Sequence, residues 1–399
     1  MKILAVTSEL PYPPTHGGAR LRQFEILKRI ADEHEIHLVT FWESTEDRDL
    51  TPDLAKHFAS VKALMKPPPR PSRTIADRFR VPHWRLTWTD EMLELIKEQV
   101  VAVKPDIAYV TPEHMAFYID AFSGIPSWID ITDSGELFAS SSLALSRSIK
   151  DYLRGVVYLN AVKSFERTWF PKYNGCSLVA QADADSIKKL CPDLAVHVVP
   201  NGVDTDFFSP TNVPSKSKRL VFTGTMDFAP NIDAVTWFCH EIFPLIRKKI
   251  PAIEFDIIGR VPSEEVTQLE KLDGVKVHGF VPDLREAVQR ASVYVCPMRK
   301  GAGMKNKILE AMAMGVPIVS TASGATGIEF QDNVHGLIRD TAISFAEAVC
   351  DLVSTPQKGE SLAKVARKAV CEHYSWDHSA ELMSNCLSQL QKDSEKIAL

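Results

Sequence analysis

No two of the seven cysteines form a C-x-x-C pair. Cys176, Cys191, Cys239, Cys296, Cys350, Cys371 and Cys386 stand singly, mostly inside apolar runs, the pattern of reduced, buried thiols in a cytosolic protein. A long apolar run is also missing at the start. "MKILAVTSELPYPP" holds one lysine and only a short apolar stretch, too short for a signal-peptide core or a membrane span, and reads as a first β-strand. Positive charge is not in excess: the formal net charge of -5 gives no reason to expect nucleic acid as a partner. There is no repeat of solenoid period and no low-complexity tract.

What is present is an ordinary globular balance, 45% apolar and 24% charged, in a 399-residue chain longer than one compact core usually serves. Two domains follow as the first expectation. Short β-branched runs alternate with helical patterns, the signature of parallel sheets with crossover helices. The first half offers "KILAVTS", "EIHLVTF", "VKALM", "DIAYVT", "PSWIDIT", "CSLVA" and "VHVVP", with a helix expected from Ala19 to Glu33. After "VVPNGVDTDFFSPTNVPSKSKR" the pattern restarts with "LVFTGT", "IEFDIIGR", "VKVHGF", "VYVCP" and "PIVST", and the polar stretch 209–219 looks like the link. The expected fold is α/β: two doubly wound, Rossmann-like domains, residues 1–205 and 206–375, facing a central cleft.

One segment breaks that rhythm. Residues 66–88, "KPPPRPSRTIADRFRVPHWRLTW", set Lys66, Arg70, Arg73, Arg78, Arg80 and Arg85 against the single acid Asp77, with Phe79, Trp84 and Trp88 between them. A solvated Pro-rich loop accounts for this composition. So does a peripheral contact with an anionic membrane or a phosphate-bearing acceptor, because cations and interfacial aromatics suit both.

"RKGAGMKNKILEAMAMGVPIVST", residues 299–321, carries the most chemistry. "VYVCP" ends a strand, and "KNKILEAMAM" reads as a helix closed by Gly315 with Pro317 beyond it. A loop holding Gly301, Ala302, Gly303 and Met304 ahead of a helix start presents unpaired N–H groups and the positive end of the helix dipole to a phosphate. Lys305, Asn306 and Lys307 follow, and the two lysines add full charge. Lys305, nearer the loop, is the choice for direct contact, with Lys307 able to sit on the solvent face. Glu310 lies about 6 Å along the helix from its start, within reach of a ribose whose adjacent hydroxyls an ionised carboxylate would accept. The combination suggests a nucleoside diphosphate. An amphipathic helix with Glu310 facing solvent fits the same pattern.

"LEAMAMGVPIVST" after such a loop, "VVPNGVDTDFF" at the junction and "SELPYPPTHGGARLRQFEILKRIA" after the first strand together resemble family 4 glycosyltransferases of the GT-B fold. "FTGTMDFAPNIDAVTWF", which contains Gly224, and "YSWDHSAELM" are similar to that family as well. The resemblance spans nearly the whole chain. It implies retaining transfer of a sugar from a nucleotide-activated donor held mainly by the C-terminal domain. It matches Glu310 to the glutamate that holds the donor ribose, and Gly17 and Gly18 to a glycine-rich turn that closes over the donor phosphates. It also implies that a last helix, in residues 376–399, crosses back onto the N-terminal domain. Two positions depart from the family pattern: Ala302 stands where many relatives have a further glutamate, and Thr111, with His114 three residues on, stands near a usual histidine.

Candidates for the acceptor side are His16, Thr111, His114, Asp130 and Asp133. For the two aspartates of "WIDITDSGELF" the plainer reading is capping of the next helix by Asp133 or Ser134. No clustered D-x-D set marks a metal site, so no essential metal or other cofactor is expected, and Lys305 with the helix dipole is assigned the leaving diphosphate. The expectation is therefore a cytoplasmic glycosyltransferase of hexosyltransferase type, working from a nucleotide sugar onto a glycan of polysaccharide biosynthesis or a lipid-linked acceptor. It could act at the inner face of the membrane. A nucleotide-sugar epimerase on the same plan, or a non-catalytic nucleotide-sugar-binding partner, remain as alternatives.

Overall fold

The computed structural model describes residues 1–14, 18–68, 88–144, 148–211, 218–300 and 303–398, with side chains to residue 396. The chain forms two compact units, Met1–Asn201 with Trp376–Leu399, and Gly202–Ser375.

The first unit is built on β1 (Lys2–Thr7), β2 (Glu35–Trp42), β3 (Ser60–Met65), β4 (Ile107–Thr111), β5 (Ser127–Asp130), β6 (Gly175–Leu178) and β7 (Ala195–Val198). They pair in parallel in the order β3-β2-β1-β4-β5-β6-β7. β1, β4 and β5 are buried along almost their whole length, which is why they read as unbroken apolar runs in the sequence. The helices α1 (Gly18–Ile30), α2 (Thr45–Leu54), α3 (Asp90–Val103), α4 (Gly135–Ala144), α5 (Ile149–Trp169) and α6 (Gln181–Leu190) connect them. Side chains of Ser44, Thr89 and Ser148 cap α2, α3 and α5 by accepting from backbone N–H groups in the first turn.

In the second unit the strands are β8 (Arg219–Thr223), β9 (Glu254–Ile258), β10 (Val275–Gly279), β11 (Val293–Cys296), β12 (Ile318–Ser320) and β13 (Leu337–Ile338), in the parallel order β10-β9-β8-β11-β12-β13. Its helices are α7 (Ala229–Trp237), α8 (Phe243–Lys249), α9 (Glu264–Gln268), α10 (Arg285–Arg290), α11 (Asn306–Ala313), α12 (Ala342–Ser354) and α13 (Pro356–His373). β13 has two residues and escapes a sequence reading that looks for runs of four or more. In both sheets the order reverses beside the first strand, between β1 and β4 and between β8 and β11. Ligands of open parallel sheets bind at the carboxyl ends of strands flanking such a reversal.

α14 (Trp376–Ala398) packs on α1, with Trp376, Ala380, Met383 and Leu387 in one core with Ile3, Phe24 and Leu27. His34 Nε2 meets Ser384 Oγ at 3.0 Å. Of the stretch taken for a linker, residues 209–211 are fastened to α10: Gln289 donates to the Ser209 carbonyl at 2.8 Å and accepts from the Thr211 N–H at 2.7 Å. The cysteines need one correction. All seven are free thiols and five are buried, but Cys371, on α13, is exposed and Cys386, on α14, is half-buried.

Candidate functional site

β8 ends in Thr223 and turns at Gly224, β11 runs into Pro297 and Met298, and α11 starts at Asn306, so three chain segments meet at the strand reversal of the second unit. Gly224 has φ +155°, and a side chain there would collide with its neighbours: a Cβ would sit 2.7 Å from Asn231 Nδ2 and 2.8 Å from Lys307 Nζ. Gly303 turns the chain into α11 with φ +70°. Gly301 and Ala302 lie outside the described residues.

Lys305 immediately precedes α11 and is 8% exposed; its ammonium turns back to the Gly303 carbonyl at 2.7 Å. Met304 packs against the core of the unit, and Asn306, half-buried, opens the helix. Lys307, which the sequence leaves able to sit on the solvent face, is half-buried and turned inward. Its Nζ donates to Asn231 Oδ1 at 2.7 Å and lies 4.1 Å from the centroid of the Phe222 ring. The helix start is rotated so that Lys307 points under the loop leaving β8, a phase that the loop geometry sets and that spacing alone does not reveal. Burial pushes the Lys307 ammonium down to about 8, against the raising influence of Cys296 and Glu310, while Lys305 adds to the depression.

Glu310 sits one turn further on, partly exposed, and burial pushes its carboxyl up to about 7 with Lys307 acting the other way. Its carboxylate makes no hydrogen bond among the described residues, and when ionised it can only accept. Met312 and Met314 are core residues, as their type suggests. The start of the loop is clamped separately. Arg299 makes two hydrogen bonds to Asp233, at 3.0 and 2.9 Å, and Lys300 lies 3.0 Å from the same carboxylate. Burial alone would raise the Asp233 carboxyl, but hydrogen bonds from Arg299 and Lys300 prevail and hold it below its usual range.

The first unit places the acceptor-side candidates differently. Asp130 is fully buried at the end of β5, and both its oxygens are occupied: Arg22 Nε and Nη2 donate at 2.9 and 2.8 Å, Tyr109 Oη at 2.9 Å and Ser177 Oγ at 2.7 Å. With its oxygens engaged inside the unit, it has nothing to present on the acceptor side, where the sequence places it as a candidate. Ser134, not Asp133, caps α4, accepting from the Leu137 N–H at 3.2 Å. Asp133 is half-buried within the field of Arg22. Thr111 is 1% exposed, too buried to meet an acceptor with its side chain. His114 lies in the 3-10 segment Glu113–Phe122, with Nδ1 3.6 Å from Glu113 Oε1. Gly18 is the exposed first residue of α1, whereas His16 and Gly17 lie outside the described residues. Arg20 of α1 bonds Asp47 at 2.8 and 3.2 Å and Glu9 at 3.0 Å, which ties together the two sides of the turn leaving β1.

Four residues were not singled out from sequence: Asn231, Asp233, Arg22 and Gly259. The run "APNID", opening a helix five residues after a strand-ending glycine, is the signal for the first two. Gly259 is required because a Cβ there would lie 1.6 Å from the Gly224 carbonyl oxygen. Among the described residues no three His, Cys, Asp or Glu side chains group so as to hold a metal ion, and no helix is long and apolar enough to cross a membrane. Of the basic segment, residues 69–87 lie outside the described residues, while Lys66 pairs with Glu43 and Trp88 stacks on Tyr118 at 5.0 Å. A separate cavity of about 180 Å³, lined by Pro210, Gln289, Met314, Pro317, Pro356 and Glu360, lies by the amino ends of β11 and β12.

Residues 217–355 match the family model described as "Glycosyl transferases group 1". The chain is similar to the GDP-mannose-dependent alpha-(1-6)-phosphatidylinositol monomannoside mannosyltransferase of Mycobacterium tuberculosis, 26% identical over 49% of this chain and 56% of that protein, so it spans little more than half of that relative. In structure it is similar to sucrose-phosphate synthase from Thermosynechococcus elongatus, with TM-score 0.73 at 15% identity over 98% of this chain and 99% of the other. It is likewise similar to HepE of Anabaena in complex with UDP, with TM-score 0.68 at 15% identity over 98% and 100%. Strand order and these likenesses agree on an α/β fold of two doubly wound units, the GT-B fold, whose second unit matches a glycosyl transferases group 1 domain.

Proposed function

We propose that the chain is a retaining glycosyltransferase of family 4 type that moves a sugar from a nucleoside diphosphate sugar to a polysaccharide or lipid-linked acceptor. The observation that carries the reading is Glu310, whose carboxylate has no hydrogen bond among the described residues, one turn after the cation Lys307 at the start of α11. Lys305, Lys307 and the helix N-terminus take the diphosphate, and Glu310 accepts from the ribose hydroxyls. Their positive charge also takes the place of a metal at the leaving group. The bond from the sugar's anomeric carbon to the diphosphate oxygen breaks, and the acceptor oxygen bonds to that carbon from the same face. The acceptor proton passes to a diphosphate oxygen, so the chain supplies position and charge rather than a nucleophile.

The acceptor side belongs to the first unit in this scheme. α5 exposes Ile149, Tyr152 and Leu153 beside Lys150 and Arg154, a face suited to peripheral contact with an anionic membrane that presents a lipid-linked acceptor on the cytoplasmic side. The test is a thermal-shift screen against UDP, GDP and their hexose derivatives. Folded-state binding raises the melting temperature, and release of free nucleoside diphosphate with a lipid or glycan acceptor then reports transfer. No stabilisation by any member of the panel would remove the donor reading.

A further inference from the structure

We propose that Asn231 is a positioning residue, whose side-chain amide bridges the loop after β8 to Lys307 and holds that ammonium where an anionic ligand at the start of α11 meets it. The identity of that ligand rests on the donor reading above; the geometry stands independently of it. Asn231 is 5% exposed. Its Nδ2 donates to the Thr225 carbonyl at 2.9 Å, and its Oδ1 accepts from Lys307 Nζ at 2.7 Å. Both ends of the amide are therefore used, one on the loop and one on the cation.

Gly224 leaves the room this bridge needs, since any Cβ there would press on both the amide nitrogen and the ammonium. The Phe222 ring lies against the same ammonium. A neutral amide and a ring face hold a cation without cancelling its charge, which a carboxylate at position 231 would do. The charged and titratable groups around Lys307 are Cys296 from β11, Glu310 from α11 and Lys305 just before it. With the ammonium titrating near 8, an anion drawn to it loses that attraction as pH rises through this value and takes up a proton on binding above it.

The experiment joins two readouts. Lysine side-chain NMR follows the titration of Lys307 without any ligand, assigned with Lys307→Met. Calorimetry follows UDP and GDP from about pH 6.5 to about 9.5, a range centred on the Lys307 value of about 8, in wild type, Asn231→Ala, Lys307→Met and the double variant. Positioning predicts that Asn231→Ala weakens nucleotide binding by roughly tenfold and that the double variant binds no worse than Lys307→Met alone, the signature of coupled residues. Asn231→Asp should move the Lys307 titration up by about one unit or more and erase the fall in affinity near pH 8. Additive losses, or a Lys307 titration that Asn231→Asp leaves in place, would overturn the proposal. Should Asn231→Ala not fold, the aspartate variant decides alone. Should neither nucleotide bind the wild type, the donor reading fails, and the ligand-free titration still decides whether Asn231 governs Lys307.

Discussion

Two groupings of a basic side chain and a carboxylate, Arg22 with Asp130 in the first unit and Lys307 with Glu310 in the second, are built in opposite ways. In the first, Arg22 and Asp130 are joined by two hydrogen bonds, Tyr109 and Ser177 complete the carboxylate, and Asn201 and the Pro200 carbonyl take the remaining face of the guanidinium at 2.9 and 3.3 Å. In the second, Lys307 has one neutral acceptor and Glu310 has no hydrogen bond among the described residues. A saturated pair has nothing left to offer a ligand and serves to fasten α1 to β5 and to the chain leaving the unit. An unsaturated pair keeps charge and acceptors in reserve at a desolvation cost, and shifted proton affinities are the physical sign of that cost.

Breaking the saturated pair should give the largest effect. Asp130→Ala leaves the Arg22 guanidinium buried without its counter-charge, a loss of about 3–5 kcal/mol of stability. Urea unfolding reads it, and a loss under about 1 kcal/mol would place Asp130 outside the framework. Lys307→Met should do the reverse: stability at pH 7 stays level or rises, because a desolvated cation is removed, while affinity for UDP or GDP falls by on the order of 1–3 kcal/mol. Lost stability with unchanged nucleotide affinity would make the two pairs alike.

Glu166 sharpens the comparison from within the first unit. It is buried, one of its oxygens accepts from the Glu136 N–H at 3.3 Å while Oε2 has no partner among the described residues, and burial pushes its carboxyl up to about 8. A carboxyl raised in the folded state binds more protons there than in the unfolded chain, so stability from this group is present at low pH and declines as pH rises from about 4.5 to about 8. Glu166→Gln should flatten that decline, by on the order of 1–3 kcal/mol at pH 9. Equal slopes of stability against pH in the two proteins would show that Glu166 does not titrate in that window. The smallest effect is expected at the surface: replacing Lys150 and Arg154 by Gln should weaken sedimentation with phosphatidylserine vesicles by about 1 kcal/mol per charge at low salt, leaving nucleotide binding unchanged. Equal sedimentation would remove α5 from any membrane contact.

The fold class was legible because strands buried on both faces write themselves as continuous β-branched runs, and α11 because Gly315 and Pro317 mark its end. Contacts between distant residues were not. Arg22 and Asp130 are 108 positions apart, and Asn231 and Lys307 are 76 apart, so each pair needs the sheet order before it can be seen. Asp130 looked like a functional acid because it ends a parallel strand. The arginine that consumes it lies in an amphipathic helix, where nothing in the pattern separates an inward basic residue from a solvated one. The turn of Lys307 inward was hidden for the same reason, since one residue of phase at the helix start decides between solvent and core.

The central claim is that Glu310 is kept free to accept from the ribose of a nucleoside diphosphate. Calorimetry with UDP and with 2′,3′-dideoxy-UDP, and with the guanosine pair if those bind better, on wild type and Glu310→Gln tests it most directly. The account predicts that removing the hydroxyls costs the wild type about 1–3 kcal/mol and costs Glu310→Gln little more. An equal penalty in both proteins, or none in the wild type, would contradict it.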